Sequence, residues 1–232
     1  MTRIRFQQSL DELNDQLLEM AGMAEQAIQR ATEAYRTRDL SICELVIRGE
    51  AVINRKQREI DQAATDLLAM EQPMAVDLRF ILSAIKINAE LERVGDAAEN
   101  ISDRVRRMEK MGAAEMPVDI PRMALLAAEM VRKSLQSFID ADAELASSVL
   151  AMDDAVDTMN RAAYKSLTQV MTEQGEQAPQ ALNALMIARA LERVADHATS
   201  ISEDVIFWVL GADVRHSKSL KAAPDPHALG EA

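Results

Sequence analysis

Residues 91–102 read LERVGDAAENIS, and residues 191–202 read LERVADHATSIS. The same acidic phrase occurs twice, one hundred positions apart. Sliding the chain by that interval extends the match. Leu82, Ala84, Ile87, Leu91, Glu92, Arg93, Val94, Asp96, Ala98, Ile101 and Ser102 all recur unchanged, and Asp103 recurs as Glu203. Duplication on this scale predicts two copies of one structural unit.

Each copy carries the period of an amphipathic helix. Leu10, Leu13, Leu17, Met20, Ala24, Ala27, Ala31 and Ala34 follow one another by three and four, the seam of a long bundle helix. The stretch RTRDLS at 36–41 marks a tight turn with Asp39 as the N-cap of a second helix, which runs through Val46, Ile53, Ile60, Leu67 and Leu68. At Pro73, which fits a first helical turn, it gives way to a third, ending at about residue 110. GAAEMPVDIP at 112–121 is the clearest linker. Three more helices are expected at about 119–141, 142–173 and 178–211, with Asp142 in the place of Asp39. Aromatic residues make up only 3% of the chain, and straight-chain helix formers dominate it. The expected fold is all-α: two similar three-helix bundles from an internal repeat, spanning 5–111 and 119–216. A flexible tail is expected at 217–232, where Pro224 and Pro226 oppose a helix.

The formal charge of −12 excludes the basic patch of a nucleic-acid binder and disfavours direct capture of free phosphate. It permits attraction to metal cations or to a basic partner surface. Cys43 is the one cysteine, so no internal disulfide forms and a reducing cytosol is the simple reading. The start MTRIRFQQSL lacks an apolar signal region, and charges interrupt the apolar stretches short of spanning length. A cytoplasmic protein without membrane insertion is expected. No P-loop, glycine-rich phosphate cradle or nucleophile–base arrangement points to an enzyme.

The repeated phrase carries two stripes. Phe80, Ala84, Ile87, Leu91, Val94, Ala98, Ile101 and Val105 form ordinary core. The adjacent stripe begins apolar with Leu78, Ile81 and Ile85, then becomes Asn88, Glu92, Asp96, Glu99 and Asp103. The sixth helix repeats the change: Leu185 and Ala188 lead into Glu192, Asp196, Thr199 and Glu203. Like charges at i and i+4 repel, so a repeated acidic pair beside a packing seam calls for a cation. Arg93 and Arg193 diverge from their own Glu neighbours, although they can reach another helix. The second helix of the second unit adds Asp153 and Asp157, and a shift of 103 sets Glu50 and Asn54 opposite them in the first. Acids on facing helices form an oxygen-rich shell for hard or borderline cations such as Mg²⁺, Mn²⁺ or Fe. A solvated acidic face is the alternative. Counting carboxylates, the second unit should hold metal more tightly, unless Glu99 or Asp103 compensates for Asn54 in the first.

Two longer stretches, EQPMAVDLRFILSAIKINAELERVGDAAENI at 71–101 and IARALERVADHATSISEDVIFWVLGADVRH at 187–216, resemble the paired signature blocks of the PhoU family of phosphate-signalling proteins. The resemblance covers about residues 5–216. It implies two similar three-helix bundles and a cytoplasmic negative regulator of phosphate uptake and of the phosphate-starvation (Pho) response. It also implies an adaptor between the ATPase subunit of a phosphate ABC transporter and a phosphate-sensing histidine kinase, peripheral to the inner membrane through those partners. A homodimer is implied as well. Some members carry metal ions or iron clusters at paired E(D)xxxD motifs. Carried over, these fall on Glu92 with Asp96, Glu192 with Asp196, Asp153 with Asp157, and Glu50 with Asn54; Mg, Mn, Fe or Zn would be bound there without catalysis. The departures are Asn54, where an acid is usual, and Ser200, where Asn is common. The runner-up is a carboxylate-bridged di-iron protein, but its Glu-x-x-His pairs are missing, and the sole Asp-x-x-His runs from Asp213 to His216.

His197, beside Asp196, reads as a polar interhelical contact before a ligand. Phe207 and Trp208 read as the closure of a bundle end before a docking patch, and the methionines as core filler. Cys43 reads as a buried apolar residue. Asp77-Leu78-Arg79 is open between a partner contact and an interhelical salt bridge.

Overall fold

The computed structural model describes residues 3–71, 73–112 and 115–215. Seven α-helices and one 3₁₀ turn follow in order, with no strand among the described residues: α1 Arg3–Thr37, α2 Leu40–Glu71, α3 Val76–Glu109, α4 Ile120–Ile139, α5 Ala143–Leu150, α6 Asp153–Glu173, the 3₁₀ turn Gly175–Gln177, and α7 Ala178–Leu210. Helices α1 to α3 form the first repeat and α4 to α7 the second. The expected flexible tail, 217–232, lies outside the described residues.

The predicted core stripe is buried from Ala84 through Ile87, Leu91, Val94, Ala98 and Ile101 to Val105, with Phe80 partly covered. Each Leu or Ile withdrawn this way contributes about 1.5–3 kcal/mol. The buried apolar residues of both repeats join into one continuous core. Within it the α3–α7 contact is the most extensive. The two helices run antiparallel: Arg79 meets Trp208, Ser83 meets Asp204 and Glu90 meets His197.

The first turn of each repeat is built alike. Arg38 and Ala141 both adopt positive φ, at 58° and 50°. Each precedes an Asp: Asp39 accepts from the Ser41 backbone N–H at 2.8 Å, and Asp142 from those of Glu144 and Leu145 at 2.9 Å. The left-handed residue closes one helix and the Asp opens the next. Asp119 caps α4 in the same way, accepting from the Arg122 N–H at 3.0 Å.

Two expectations need correction. The helix expected over 142–173 is two helices, broken at Ala151 and Met152. Neither Gly nor Pro causes the break. The backbone switches to three-residue hydrogen bonds there, Met152 N–H to Val149 O and Ala155 N–H to Met152 O, and the axis restarts at Asp153. Pro73 does not sit in the first turn of α3; that helix begins at Val76, after Ala75 at φ 49°.

Candidate functional site

The acidic stripes of α3 and α7 face the second helix of their own repeats. In the first repeat, Glu50 of α2 meets Asp96 and Glu99 of α3, and one ligand oxygen from each lies within 4.8 Å of the others. All three side chains are half-buried. Among the described residues this is the one set of three acids that converges so closely. Burial pushes the Glu99 carboxyl above its ordinary range, and Glu50, Asp96 and Asp103 push it further. Glu92 is raised in the same way, by burial first and then by Asp96, with Glu50 adding to it. Carboxylates that raise one another's proton affinity repel, and a cation among them relieves that repulsion.

Asn54 lies beside Glu50. Its amide nitrogen hydrogen-bonds Glu50 Oε1, while its own Oδ1 is buried without a hydrogen-bond partner. Asn54 therefore fixes Glu50, and the third oxygen comes from Glu99, one turn beyond Asp96. Asp103 lies further along and pairs with Arg107 at 2.7 Å. Asn88, expected on the acidic stripe, is fully buried instead: its amide donates to the Gln57 carbonyl and to Asp61, both at 2.9 Å, and ties α3 to α2.

In the second repeat, the four acids named from the sequence come within electrostatic reach of one another. Asp196 is pushed up to about 6, by desolvation first and then by Glu192, Asp153 and Asp157. Asp196 itself is exposed. Asp157 accepts from Arg161 at 3.3 Å, an exposed pairing within α6. Counting carboxylates favoured this repeat, whereas close convergence occurs in the first, because Glu99 compensates for Asn54.

The helix contact beside the first cluster is close. A Cβ on Gly95 would lie 2.9 Å from Ile53 Cδ1 and 3.2 Å from Ile53 Cγ2, so an alanine there would require the Ile53 side chain to move. The matching residue in the second repeat is Ala195, itself buried. The Gly-to-Ala change was visible in the two quoted phrases; its consequence required the packing partner.

The chain matches the family model described as the PhoU domain twice, over residues 17–105 and 120–205. The chain belongs to the PhoU family. It is 32% identical, over 92% of its length and 98% of the relative's, to a phosphate-specific transport system accessory protein PhoU homolog of Clostridium acetobutylicum. It is 34% identical to the homolog of that name from Pseudomonas aeruginosa, over 91% of this chain and 88% of that one. The crystal structure of PhoU from Pseudomonas aeruginosa superposes with a TM-score of 0.85 at 33% identity, covering 89% of this chain and all of that one. The phosphate transport system regulatory protein PhoU from Streptococcus pneumoniae gives 0.83 at 29% identity, covering 90% of this chain and 99% of that one. The expected all-α fold of repeated PhoU bundles is thus the observed one.

The remaining residues also find places. His197 Nδ1 lies 2.7 Å from Glu90 Oε2, a polar contact between the repeats. Trp208 closes the end of the bundle with Phe80 and Phe138, at centroid distances of 5.3 and 5.2 Å. Cys43 is buried, and burial raises its thiol. Arg93 pairs with Glu90 on its own helix, not across to another. Arg79 Nε donates to the Trp208 carbonyl at the end of α7, at 3.2 Å. No described helix is long and apolar enough to cross a membrane.

Proposed function

We propose that this PhoU-family protein is a cytoplasmic negative regulator of inorganic-phosphate uptake and of the phosphate-starvation response. It acts as an adaptor between the ATPase subunit of a phosphate ABC transporter and a sensor histidine kinase, and it works as a homodimer. The observation that carries this reading is the match of both repeats, nearly end to end, to relatives named as accessory proteins of the phosphate-specific transport system. An adaptor needs surfaces and no reaction centre, which suits a chain built wholly of packed helices.

The acidic clusters are proposed as cation sites that shape those surfaces. The donor set fits: three half-buried carboxylates at mutual ligand distance suit Mg²⁺, Mn²⁺ or an iron ion better than solvation alone. Glu50, Asp96 and Glu99, with Glu92 beside them, would hold a cation in the first repeat. Asp153, Asp157, Glu192 and Asp196 would hold one in the second. A bound ion would supply fixed positive charge there. Asn54 would keep Glu50 oriented toward it.

The test is deletion of the gene in a strain with no second member of the family. Expression of phosphate-starvation genes should rise in phosphate-rich medium, and the tagged protein should retain the transporter ATPase in a pull-down. Unchanged expression in the deletion strain would overturn the regulatory reading.

A further inference from the structure

Asp204 is the one described charged residue that is buried outright, at 7% exposure. It lies in α7 of the second repeat, but its partner comes from the first: Lys86 Nζ is 2.9 Å from Asp204 Oδ1. Lys86 belongs to a stripe on α3, spaced four, three and four residues apart, that faces α7. Arg79 donates to the Trp208 carbonyl at 3.2 Å, Ser83 to the Asp204 carbonyl at 3.0 Å, Lys86 to the Asp204 carboxylate, and Glu90 meets His197 at 2.7 Å. Lys86 also lies over the Phe207 ring, 5.2 Å from its centroid.

The stripe is not a product of the duplication. One hundred positions on, Arg79, Ser83, Lys86 and Glu90 become Pro179, Asn183, Met186 and Ala190; one hundred positions back, Asp204 and His197 become Arg104 and Ala97. Ala97 and Ala190, which replace His197 and Glu90, are buried and apolar. One half of a pseudo-symmetric contact has thus acquired a polar stripe that the other half lacks. A buried carboxylate is tolerated only while paired, and an unpaired one disfavours the packing that buries it. Burial raises the Asp204 carboxyl; Lys86 offsets the rise, with Arg215 aiding it and Glu90 opposing it at longer range. Lys86 keeps 38% of its side chain exposed, so it can be withdrawn into solvent, whereas Asp204 cannot without separating the helices.

We infer that Lys86 and Asp204 form a latch between the repeats: the exact placement of α3 on α7 is conditional on Lys86 reaching Asp204, and withdrawing the lysine loosens that placement while the shared apolar core keeps both units folded and joined. The latch does not depend on a cation or on any named partner. It controls the relative placement of the two acidic faces that a partner would meet.

The test uses the full chain with Cys43→Ala and nitroxide labels read by double electron–electron resonance. Labels at Arg48→Cys and Lys165→Cys report on the distance between repeats; labels at Gln29→Cys and Arg48→Cys report within the first. Lys86→Met strands a buried charge, so the inter-repeat distribution should broaden while the intra-repeat one stays narrow. Asp204→Asn strands none and should broaden the distribution less. Replacing both, Lys86→Met with Asp204→Met, should recover the narrow distribution, because nothing charged is left to bury. An unchanged distribution in Lys86→Met would overturn the latch. So would loss of the intra-repeat distance in that variant, or a double variant as broad as Lys86→Met alone.

Discussion

In the first repeat α2 passes unbroken through Glu50 and Asn54; in the second, the corresponding helix ends at Leu150 and a new one begins at Asp153. The two acidic clusters thus rest on different backbones, although the sequence repeats Glu92 and Asp96 of α3 as Glu192 and Asp196 of α7; Glu99, the third converging acid, becomes Thr199. Asp153 and Asp154 lie in the first turn of α6, where the unsatisfied N–H groups and the helix dipole stabilise negative charge by about 0.3–1 kcal/mol. Glu50 stands in mid-helix and has no such help. Gly95 of α3 packs directly against Ile53 of α2, while the matching position in the second repeat is a buried Ala195. The first cluster is therefore the tighter one, with a ligand oxygen from each of three acids within 4.8 Å of the others, while proton affinity is raised most at Asp196 in the second. We expect convergence, and not the number of acids, to rank the two sites for a cation.

The largest effect that can break this comparison is on cation affinity. Titrated with Mn²⁺ by calorimetry, Asp96→Asn should weaken the tighter phase at least about tenfold, equivalent to ~1.4 kcal/mol. Asp196→Asn should leave that phase in place. Loss of the tighter phase in Asp196→Asn instead would restore the ranking by carboxylate count, and absence of binding to the wild type would leave both faces solvated.

A smaller effect sharpens the spacing argument. Gly95→Ala gains about 0.5–1 kcal/mol of helix propensity but pushes a methyl against Ile53, and overpacking of this kind costs about 1–3 kcal/mol. A net loss of about 1 kcal/mol should lower Tm by about 2–4 °C, and Ile53→Val should recover part of it. Ala195→Gly has no clash to relieve and should lose only the propensity. A Gly95→Ala variant as stable as the wild type, with Mn²⁺ binding intact, would show that the spacing does not decide the site.

Much of this was legible in the chain. The repeat, the switch of a helical stripe from Leu78 to Asp96, and the caps at Asp39 and Asp142 are local patterns with fixed helical geometry, and the backbone follows them. Four features were not. Glu99 lay on the recognised stripe, but only the facing helix decides whether Asp96 reaches Glu50 with Glu92 or with Glu99. Asn54 read as a weak ligand, and the contact of its amide nitrogen with Glu50 could not be read from spacing alone. The break before Asp153 carries no Gly or Pro, so no local signal marked it. The Lys86–Asp204 pair joins residues 118 positions apart and has no duplicate to reveal it.

The smallest effect concerns protons in the second cluster. The folded protein holds the Asp196 carboxyl at about 6, against an unfolded value near 3.8. A raised carboxyl favours the fold while it is protonated. Its contribution is therefore fully present below about pH 4, is lost as pH rises through 6, and stays lost above. Asn at this position keeps the neutral form at every pH. In chelator-treated protein, Asp196→Asn should raise Tm at pH 8, raise it less at pH 5.5 and leave it unchanged below pH 4. The side chain still meets water, and solvent screening keeps the gain below about 1 kcal/mol, so added salt should shrink it further. With saturating Mn²⁺ the sign should invert at pH 8, because the wild-type carboxylate then binds the ion that stabilises the fold and the amide binds it poorly. A Tm difference that ignores both pH and metal would mean that Asp196 neither repels its neighbours nor serves a cation, and the second cluster would then be an ordinary solvated face.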